Sequence, residues 1–463
     1  MRAESYGPAC SFPERREDRP MTKLFGTDGV RGVANRDLTP DLALALGRAA
    51  GLVLAPSGGR VVVGRDTRVS GPMLEAALVA GLCSAGVRVA VAGVLPTPGV
   101  AWLTRVENAI AGAVISASHN PVEDNGIKFF SSAGSKISGE DEVAIEALVK
   151  DVPTPLPEGT SIGGVEVIED ATARYVGHVT SAIEGSLEGL RVVLDCAHGA
   201  AWRAGPEAFS RAGAQVIALH DGPDGTRINV DSGSTSLDVV AKAVVNEGAS
   251  FGLAFDGDAD RVLAVDETGD VVDGDRIIAV AALDMHRRGV LAGDLVVTTV
   301  MANLGFRRAL EQAGIEVVTV PVGDKHVAEA MTSGGAVLGG EQSGHVIFSE
   351  HATTGDGILT GLKLAEIVAS SGRRLSDLAG VFETYPQVLL NVPVADASGL
   401  EGAEAVWASV RAAEEELGES GRVLLRASGT EPLVRVMVEA ERPQEAQRVA
   451  EELAETVRGA LGA

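Results

Sequence analysis

A strand–helix–strand pattern occurs three times along this 463-residue sequence, and it constrains the fold more than any other feature. Each copy begins with a short β-branched run, continues into a helix-like segment and returns through an Ala-Gly pair to a second strand. Such runs are typical of buried parallel strands, and Ala-Gly is typical of a tight helix-to-strand return. The pattern predicts three related α/β domains, with coincidence as the alternative because βαβ units are common. The copies start within GRVVVGRDTR (59–68), GLRVVLDCAHG (189–199) and GDLVVTTVMANLG (293–305).

The C-terminal part of the chain has a different pattern. Two Ala/Glu-rich helices, starting near Leu400 and Pro443, alternate with strand-like runs, which predicts a small, mostly antiparallel sheet with helices on one face. The predicted fold class is therefore α/β, with three similar domains containing mixed sheets and a smaller C-terminal α+β domain. We predict domain bounds of 21–170, 171–272, 273–386 and 387–463, after a disordered tail at 1–20.

The sequence is strongly acidic, with a formal net charge of -25 and a pI near 4.7. This charge disfavours nucleic acids and acidic membrane surfaces as partners, because both bind basic faces. An anionic substrate would need a local cluster of Arg, Lys, backbone N–H groups or metal. No stretch reaches the roughly 18 apolar residues of a membrane helix. Three cysteines without a CxxC pair (Cys10, Cys83 and Cys196) favour a reducing cytoplasm.

The segment LFGTDGVRG (24–32) is the first of several that suit a binding or catalytic site. Its glycines do not match the GxGxxG dinucleotide fingerprint, and no strand-like run precedes it. It is therefore either an ordinary glycine loop or a phosphate-facing loop in which Asp28 pairs with Arg31.

Ser118 lies just beyond an apolar, strand-like run, 109–115, and precedes His119-Asn120-Pro121. A hydroxyl at the end of such a strand lies at the carboxyl edge of the sheet, where α/β domains bind ligands. On its own, this serine is either a nucleophile or a turn residue. Lys128, in a turn just downstream, is within reach of the same opening.

The segment after another strand-like run places Asp256, Asp258 and Asp260 at alternating positions. Carboxylates in this arrangement converge on one hard cation through oxygen ligands. A calcium-binding EF-hand is excluded, because Arg261 occupies the position that requires glycine and the flanks resemble strands rather than helices. Without a cation the carboxylates would repel one another, so metal binding is favoured.

Two later segments supply candidates for sugar and phosphate binding. GGEQSGH (339–345) offers Glu341 and Ser343 to sugar hydroxyls, although by itself it is only a polar turn. RASGTEP (426–432), with Arg435 beyond it, combines guanidinium, hydroxyl and backbone N–H groups around a glycine. That combination suits a phosphate cradle better than an ordinary surface turn.

Taken together and in this order, the segments resemble the α-D-phosphohexomutase superfamily over nearly the whole chain from Met21. The blocks FGTDGVRG (25–32), GEQSGH (340–345) and SGTEPLVRV (428–436) are most similar to its phosphoglucosamine mutase branch. The resemblance implies four domains around a central cleft, with a mobile C-terminal domain that closes on substrate. It also implies an isomerase that interconverts glucosamine 6-phosphate and glucosamine 1-phosphate through a phosphoserine enzyme and a 1,6-bisphosphate intermediate.

The same resemblance implies roles for individual residues. Ser118 would carry the phosphoryl group and share one Mg²⁺ with Asp256, Asp258 and Asp260, while catalytic help would come from Arg31, Lys128 and His119. The substrate would be held by Glu341, Ser343, His345, Arg426, Ser428, Gly429, Thr430 and Arg435. For His119 and His345, a structural hydrogen bond is the alternative role. Glucosamine 1,6-bisphosphate or glucose 1,6-bisphosphate is expected as the activator, and a homodimer is left open.

Two features depart from the family pattern. Ala259 replaces a frequent glycine in the metal loop, and Lys325-His326 replaces a common Arg-Tyr, which leaves sugar specificity open. A phosphoglucomutase or phosphomannomutase is therefore the nearest alternative function. A metal-dependent sugar-phosphate phosphatase and a non-catalytic sugar-phosphate sensor are alternatives from other classes.

Overall fold

The computed structural model describes residues 24–26, 28–151, 155–428 and 432–462 of the chain. Within these residues the strands form four sheets, of six, five, four and three strands in chain order. The first three sheets mix parallel and antiparallel pairs, whereas the fourth is antiparallel throughout. The predicted α/β class with a smaller C-terminal α+β domain is confirmed. The tail predicted at 1–20 lies outside the described residues.

The first two sheets, with their helices, define the first two units of the chain. The first unit consists of β1 (Val30–Val33), α1 (Pro40–Leu54), β2 (Gly59–Arg65), α2 (Gly71–Ser84), β3 (Val87–Val94), α3 (Thr97–Val106), β4 (Ala111–Ile115), β5 (Asp124–Ser131), α4 (Gly139–Lys150) and β6 (Val165–Val167). The second consists of α5 (Ala171–Thr180), β7 (Arg191–Asp195), α6 (Ala201–Arg211), β8 (Gln215–Leu219), α7 (Asp238–Glu247), β9 (Phe251–Phe255), β10 (Val262–Asp266) and β11 (Val271–Val272).

The other two sheets define the third and C-terminal units. The third unit consists of α8 (Gly274–Arg288), β12 (Leu295–Thr299), α9 (Leu304–Gln312), β13 (Glu316–Val320), α10 (Asp324–Gly334), β14 (Leu338–Gly340), β15 (Val346–Phe348), α11 (Gly357–Ser371) and α12 (Leu375–Ala379). The C-terminal unit consists of β16 (Gln387–Pro393), α13 (Glu404–Leu417), β17 (Gly421–Ala427), β18 (Leu433–Ala440) and α14 (Pro443–Leu461).

The first three sheets share one strand arrangement, so the predicted internal repeat is present. The shared orders are β3-β2-β4-β5, β8-β7-β9-β10 and β13-β12-β14-β15. In each, the first three strands are parallel and the last is antiparallel. The loop between the last two strands therefore occupies an equivalent place in all three units. These loops are 116–123, 256–261 and 341–345.

The three predicted Ala-Gly returns are also equivalent in conformation. Gly86, Gly213 and Gly314 follow the first helix of each repeat and have φ values of 83°, 103° and 82°. A residue with a Cβ is strained in this region, whereas glycine is not. The glycine thus ends the helix and turns the chain directly into the parallel strand beside it.

The C-terminal unit differs from the sequence expectation at the start of its first helix. The predicted start near Leu400 is wrong, because Ala397–Leu400 form a single 3-10 turn and α13 begins at Glu404. The Asp396 side chain accepts a hydrogen bond from the amide of Ser398 and caps this separate turn. The final helix, α14, begins at Pro443 as predicted.

Apolar packing separates the C-terminal unit from the other three. One buried cluster contains residues of the first three units, from Val62 to Ala379, whereas the C-terminal unit has its own cluster, from Val392 to Val457. A unit with a separate core can shift relative to its neighbours without exposing their core. Among the described helices, none combines the length and the apolar character needed to cross a bilayer.

Candidate active site

The three equivalent loops meet at one cleft of about 710 Å³. Each loop follows the carboxyl end of a parallel strand, which is where α/β sheets place their ligands. His119 comes from the first loop, Asp260 and Arg261 from the second, and Glu341 and Ser343 from the third. The internal repeat therefore brings candidates for catalysis, metal binding and sugar binding to one cleft.

Ser118 is buried and is held in an unusual backbone conformation. Its φ is 52°, and its amide donates a hydrogen bond to Oγ of Ser116 at 2.9 Å. Its hydroxyl donates to Oδ2 of Asp256 at 2.5 Å and lies 3.3 Å from Nδ1 of His119. Burial lowers the pKa of His119, and the charges of Arg261 and Arg31 lower it further.

The predicted metal ligands form one buried carboxylate cluster. One oxygen from each of Asp256, Asp258 and Asp260 lies within 4.8 Å of the others. Burial raises the pKa of Asp256 well above its usual value, and the two neighbouring carboxylates raise it further. One oxygen of Asp258 and one of Asp260 are buried without a hydrogen-bond partner among the described residues. These groups fit a hard divalent cation, which would satisfy the free oxygens and relieve the repulsion.

Cationic side chains surround the same cluster despite the acidity of the whole chain. The Lys128 ammonium lies 3.0 Å from Asp258 and 2.9 Å from Asp28. Burial alone would lower the pKa of Lys128, but the carboxylates of Asp258, Asp28 and Asp260 outweigh it and raise the pKa well above its usual value. Arg31 forms the predicted pair with Asp28 and also donates to Asn120 at 3.0 Å. Lys128 therefore stays charged.

The third loop presents Glu341, Ser343 and His345 to the cleft. Oε1 of Glu341 accepts a hydrogen bond from the amide of Gly323 at 3.2 Å. Nε2 of the buried His345 accepts a hydrogen bond from the amide of Gly355 at 3.1 Å. A structural role for His345 is thus directly visible, because it ties the loop to the segment before α11.

The departures from the family pattern leave this cleft intact. Ala259 has a φ of 57°, a region that favours glycine, so the alanine costs strain but removes no ligand. The Lys325 side chain contacts the carbonyl of Ile137 at 3.3 Å, and His326 is half-exposed. Neither residue lines the cleft.

The phosphate-binding candidates of the C-terminal unit lie apart from the cleft lining. Arg426 and Arg435 face each other across β17 and β18, and within the described part of the chain neither guanidinium has an ion-pair partner. The amide of Ser428 donates to the carbonyl of Leu433 at 2.9 Å. Gly429 and Thr430 lie outside the described residues, so the structure places two arginines and one serine of this set.

Several residues of the site were not predicted from the sequence. Lys136 bridges Asp28 and Asp324, at 2.5 and 2.6 Å, and thereby connects the first and third units. Arg68 and Asn229 both donate to the carbonyl of Ser118. A signal for Arg68 was available, because it follows the carboxyl end of the first predicted strand, as Ser118 follows a later one. Asn229 and Lys136 carry no comparable local signal.

Four family models match the chain in sequence order. Three describe alpha/beta/alpha domains I, II and III of phosphoglucomutase/phosphomannomutase, and they match residues 22–154, 173–269 and 273–385. The fourth describes the C-terminal domain of the same family and matches residues 389–456. The matches together cover most of the chain.

Comparison with individual proteins identifies the branch of this family to which the chain is most similar. Proteins named phosphoglucosamine mutase from Moorella thermoacetica and Streptomyces coelicolor are each 54% identical to this chain, covering 93% and 96% of it and 98% and 100% of their own lengths. A crystal structure of a phosphoglucomutase/phosphomannomutase family protein from Burkholderia thailandensis has a TM-score of 0.82 at 26% identity, covering 95% of this chain and 97% of that chain. The N-acetylphosphoglucosamine mutase of Aspergillus fumigatus, solved with GlcNAc-6P and magnesium, shares the fold (TM-score 0.66, 20% identity, 94% of this chain and 96% of that chain). This chain therefore belongs to the phosphoglucosamine mutase family.

Proposed function

We propose that this chain interconverts glucosamine 6-phosphate and glucosamine 1-phosphate, with Ser118 as the phosphoryl carrier. The observation that carries the proposal is the 2.5 Å contact between the Ser118 hydroxyl and Asp256, a member of the buried carboxylate cluster. It joins a nucleophile to a metal site, and Asp260 of that site lines a cleft large enough for a sugar phosphate. The family relationship supports glucosamine as the sugar.

One Mg²⁺ per chain is the proposed cofactor, held by Asp256, Asp258 and Asp260 together with an oxygen on Ser118. The oxygens of Asp258 and Asp260 that accept no hydrogen bond among the described residues support this assignment. Magnesium accompanies the bound sugar phosphate in the Aspergillus relative. When bound, the cation neutralises negative charge on the phosphoryl group in transfer.

Lys128 and Arg31 are proposed to stabilise the transferring group through their charge. The Lys128 ammonium lies 3.0 Å from Asp258, and the Arg31 guanidinium lines the cleft. Phosphoryl transfer needs mainly alignment and neutralisation of charge, and these side chains supply the second requirement. A proton-transfer role for His119 stays a prediction, supported by the 3.3 Å distance from its ring to the Ser118 hydroxyl.

The substrate is proposed to span two units. Glu341, Ser343 and His345 line the cleft, where they would hold the sugar hydroxyls. Arg426, Ser428, Gly429, Thr430 and Arg435 would hold the phosphate that is not reacting. Like charges directly opposite on neighbouring strands are destabilising, so the pairing of Arg426 with Arg435 suits a site that receives a dianion. The separate core of the C-terminal unit supports its closure over the cleft.

The reaction then takes two transfers. O1 of glucosamine 6-phosphate attacks the phosphoserine, the bond between phosphorus and Oγ of Ser118 breaks, and a 1,6-bisphosphate forms. The bisphosphate turns around within the cleft, and its 6-phosphoryl group returns to Ser118. Enzyme without phosphoserine would need glucosamine 1,6-bisphosphate or glucose 1,6-bisphosphate as an activator. A phosphate cradle on a unit with its own core can hold either phosphate in turn.

The cellular setting is proposed from the same features. Cys83 and Cys196 are free thiols, which fits the cytoplasm. The net charge of -25 disfavours nucleic acid as a partner, whereas a small sugar phosphate would bind at the local cluster of cationic side chains. The homodimer stays a prediction.

Phosphorus NMR of the Mg²⁺-loaded, bisphosphate-primed protein tests the proposed function. Glucosamine 6-phosphate, glucose 6-phosphate and mannose 6-phosphate are supplied separately. Growth of a sugar 1-phosphate signal chiefly from the glucosamine substrate is the expected result. Preference for glucose or mannose would assign the enzyme to phosphoglucomutase or phosphomannomutase activity. Free phosphate as the main product would indicate a phosphatase, and no reaction would favour a sensor.

A further inference from the structure

The backbone of Ser118 requires external support. Its φ of 52° lies in the left-handed region, which L-residues other than glycine rarely adopt. Such conformations persist only where surrounding contacts hold them. The position of the hydroxyl, and of any phosphoryl group on it, therefore depends on what holds the backbone at this residue.

Arg68 contacts three carbonyl groups of the loop that carries Ser118 and a fourth at the start of β5. Its buried guanidinium donates to the carbonyls of Ser118 at 3.0 Å and Asn120 at 2.8 Å. It also donates to the carbonyls of Pro121 and, at 3.0 Å, Asp124. Its Nε donates to Asp66 at 3.0 Å, so all five N–H groups of the guanidinium are used. A lysine ammonium has only three donors around one nitrogen, so it cannot make all five of these hydrogen bonds.

The amide side of Ser118 is connected to the same guanidinium. The Ser118 amide donates to Oγ of Ser116, and that hydroxyl donates to Oδ2 of Asp66 at 2.6 Å. Because Arg68 also binds Oδ2 of Asp66, one buried chain of hydrogen bonds fixes both peptide groups that flank Ser118.

The second unit adds an independent contact at the same carbonyl. Nδ2 of Asn229 donates to the Ser118 carbonyl at 2.8 Å and to that of Asn120 at 3.3 Å. A Cβ on Gly257, in the metal loop, would come within 2.6 Å of the Ser118 carbonyl oxygen. The carrier loop thus packs closely against the metal loop through residues that do not line the cleft.

We propose that Arg68, assisted by Asn229, is a positioning residue that holds the carrier serine in line with the metal carboxylates and the sugar oxygen. It acts through the backbone of the loop rather than by touching substrate. The proposal rests on Ser118 being the phosphoryl carrier. Loss of the hydrogen bonds from the Arg68 guanidinium should slow phosphoryl transfer, because small misplacements of reacting groups have large effects on rate.

Arg68→Lys and Asn229→Ala test this role, each against a matched control in the same unit. Arg60→Lys changes an arginine on β2, the strand that precedes Arg68, and its partners are Glu107 and Glu166. Asn246→Ala changes an exposed residue of α7. Each protein is fully phosphorylated with glucose 1,6-bisphosphate, checked by intact mass, and then assayed for kcat, KM and melting temperature. We expect kcat to fall about 10- to 100-fold for Arg68→Lys and about 3- to 10-fold for Asn229→Ala, with KM within about twofold of wild type.

The kcat and melting temperature of these variants together distinguish a positioning role of Arg68 from a purely structural one. A lower melting temperature with unchanged kcat per phosphorylated, folded molecule in both variants would overturn the proposal. If Arg68→Lys does not fold, Asn229→Ala decides, since it removes donors from outside the first unit. Failure of wild-type enzyme to convert glucosamine 6-phosphate would instead refute the proposed function, so the two failures are distinguishable.

Discussion

The hydroxyl of Ser118 donates a 2.5 Å hydrogen bond to Oδ2 of Asp256, although the residues lie 138 positions apart in different sheets. Ser118 lies in the loop between β4 and β5, and Asp256 lies in the loop between β9 and β10. In both cases the second strand pairs antiparallel with the first. Two of the three equivalent loops of the internal repeat therefore meet here, one carrying a hydroxyl and the other a set of carboxylates. Packing of the two units brings the copies together.

Removal of the carrier hydroxyl should abolish turnover without unfolding the protein. We expect Ser118→Ala to lower kcat by at least about 1000-fold, because no other group takes the phosphoryl. The far-UV circular dichroism spectrum should be unchanged. Ser131→Ala, which changes a hydroxyl on β5 outside the cleft, should be fully active. Normal activity in Ser118→Ala would refute the carrier assignment.

Metal binding should stabilise the protein through the carboxylate cluster. Saturation at about 100 times the dissociation constant adds about 2.7 kcal/mol to the free energy of unfolding. Mg²⁺ should therefore raise the melting temperature of EDTA-treated wild type, and Asp260→Asn should reduce this rise and the activity. Asp151→Asn, at an exposed carboxylate, should respond like wild type. An equal response of Asp260→Asn and wild type would place the metal elsewhere.

Loss of a phosphate-binding arginine should weaken substrate binding more than it slows chemistry. Arg426 would contact the phosphate in both the ground and transition states, so its removal affects uniform binding. We expect Arg426→Ala to raise KM at least about tenfold. The control is Arg448→Ala, in the same unit, whose side chain already pairs with Glu416 and Glu452. A KM unchanged in Arg426→Ala would remove this residue from the substrate site.

The pH dependence of stability should reflect Asp275, which lies where the third and C-terminal units meet. Burial, with help from the charges of Asp273 and Glu439, raises the pKa of Asp275 to about 8. The folded protein thus holds this proton more tightly than the unfolded chain, where the pKa is about 3.9. The contribution to stability is present at low pH and is lost as pH rises from about 4 to about 8.

Asp275→Asn removes this titration while keeping an acceptor for the amide of Asn303, which Asp275 binds at 2.7 Å. We expect the melting temperature of this variant, relative to wild type, to be at least about 2 °C higher at pH 8 than at pH 5. Asp221→Asn, at an exposed position, should show no such trend. A difference independent of pH would mean that Asp275 is ionised throughout.

The sequence was sufficient to identify the segments whose residue types form an unusual pattern over a few neighbouring positions. The aspartates at 256, 258 and 260 alternate after an apolar strand, and this pattern alone favoured metal binding. Ser118 follows another strand, but its pattern left a nucleophile or a turn residue open, and only the family resemblance assigned it the carrier role. The repeat was readable because each copy keeps the same Ala-Gly return. Ala259 was recognised as a departure, and its φ of 57° explains why glycine is common there.

Long-range partners could not be predicted in the same way. Lys136 meets Asp324 across 188 positions, and Arg68 reaches Asn120 across 52, so these contacts depend on how whole units pack. A lone buried arginine or asparagine has no periodicity that distinguishes it from a surface residue. The helix start near Leu400 was misplaced for a local reason, since Asp396 caps a separate turn that periodicity does not show.

A single-turnover transfer experiment tests the central claim most directly. Enzyme carrying ³²P on Ser118 is mixed with unlabelled glucosamine 6-phosphate and Mg²⁺, and the label is followed among protein, sugar phosphates and inorganic phosphate. The account predicts that the label leaves the protein at a rate no slower than turnover and appears at O1 of the sugar, first in the bisphosphate. Label that stays on the protein during turnover, or appears as inorganic phosphate instead, would contradict it.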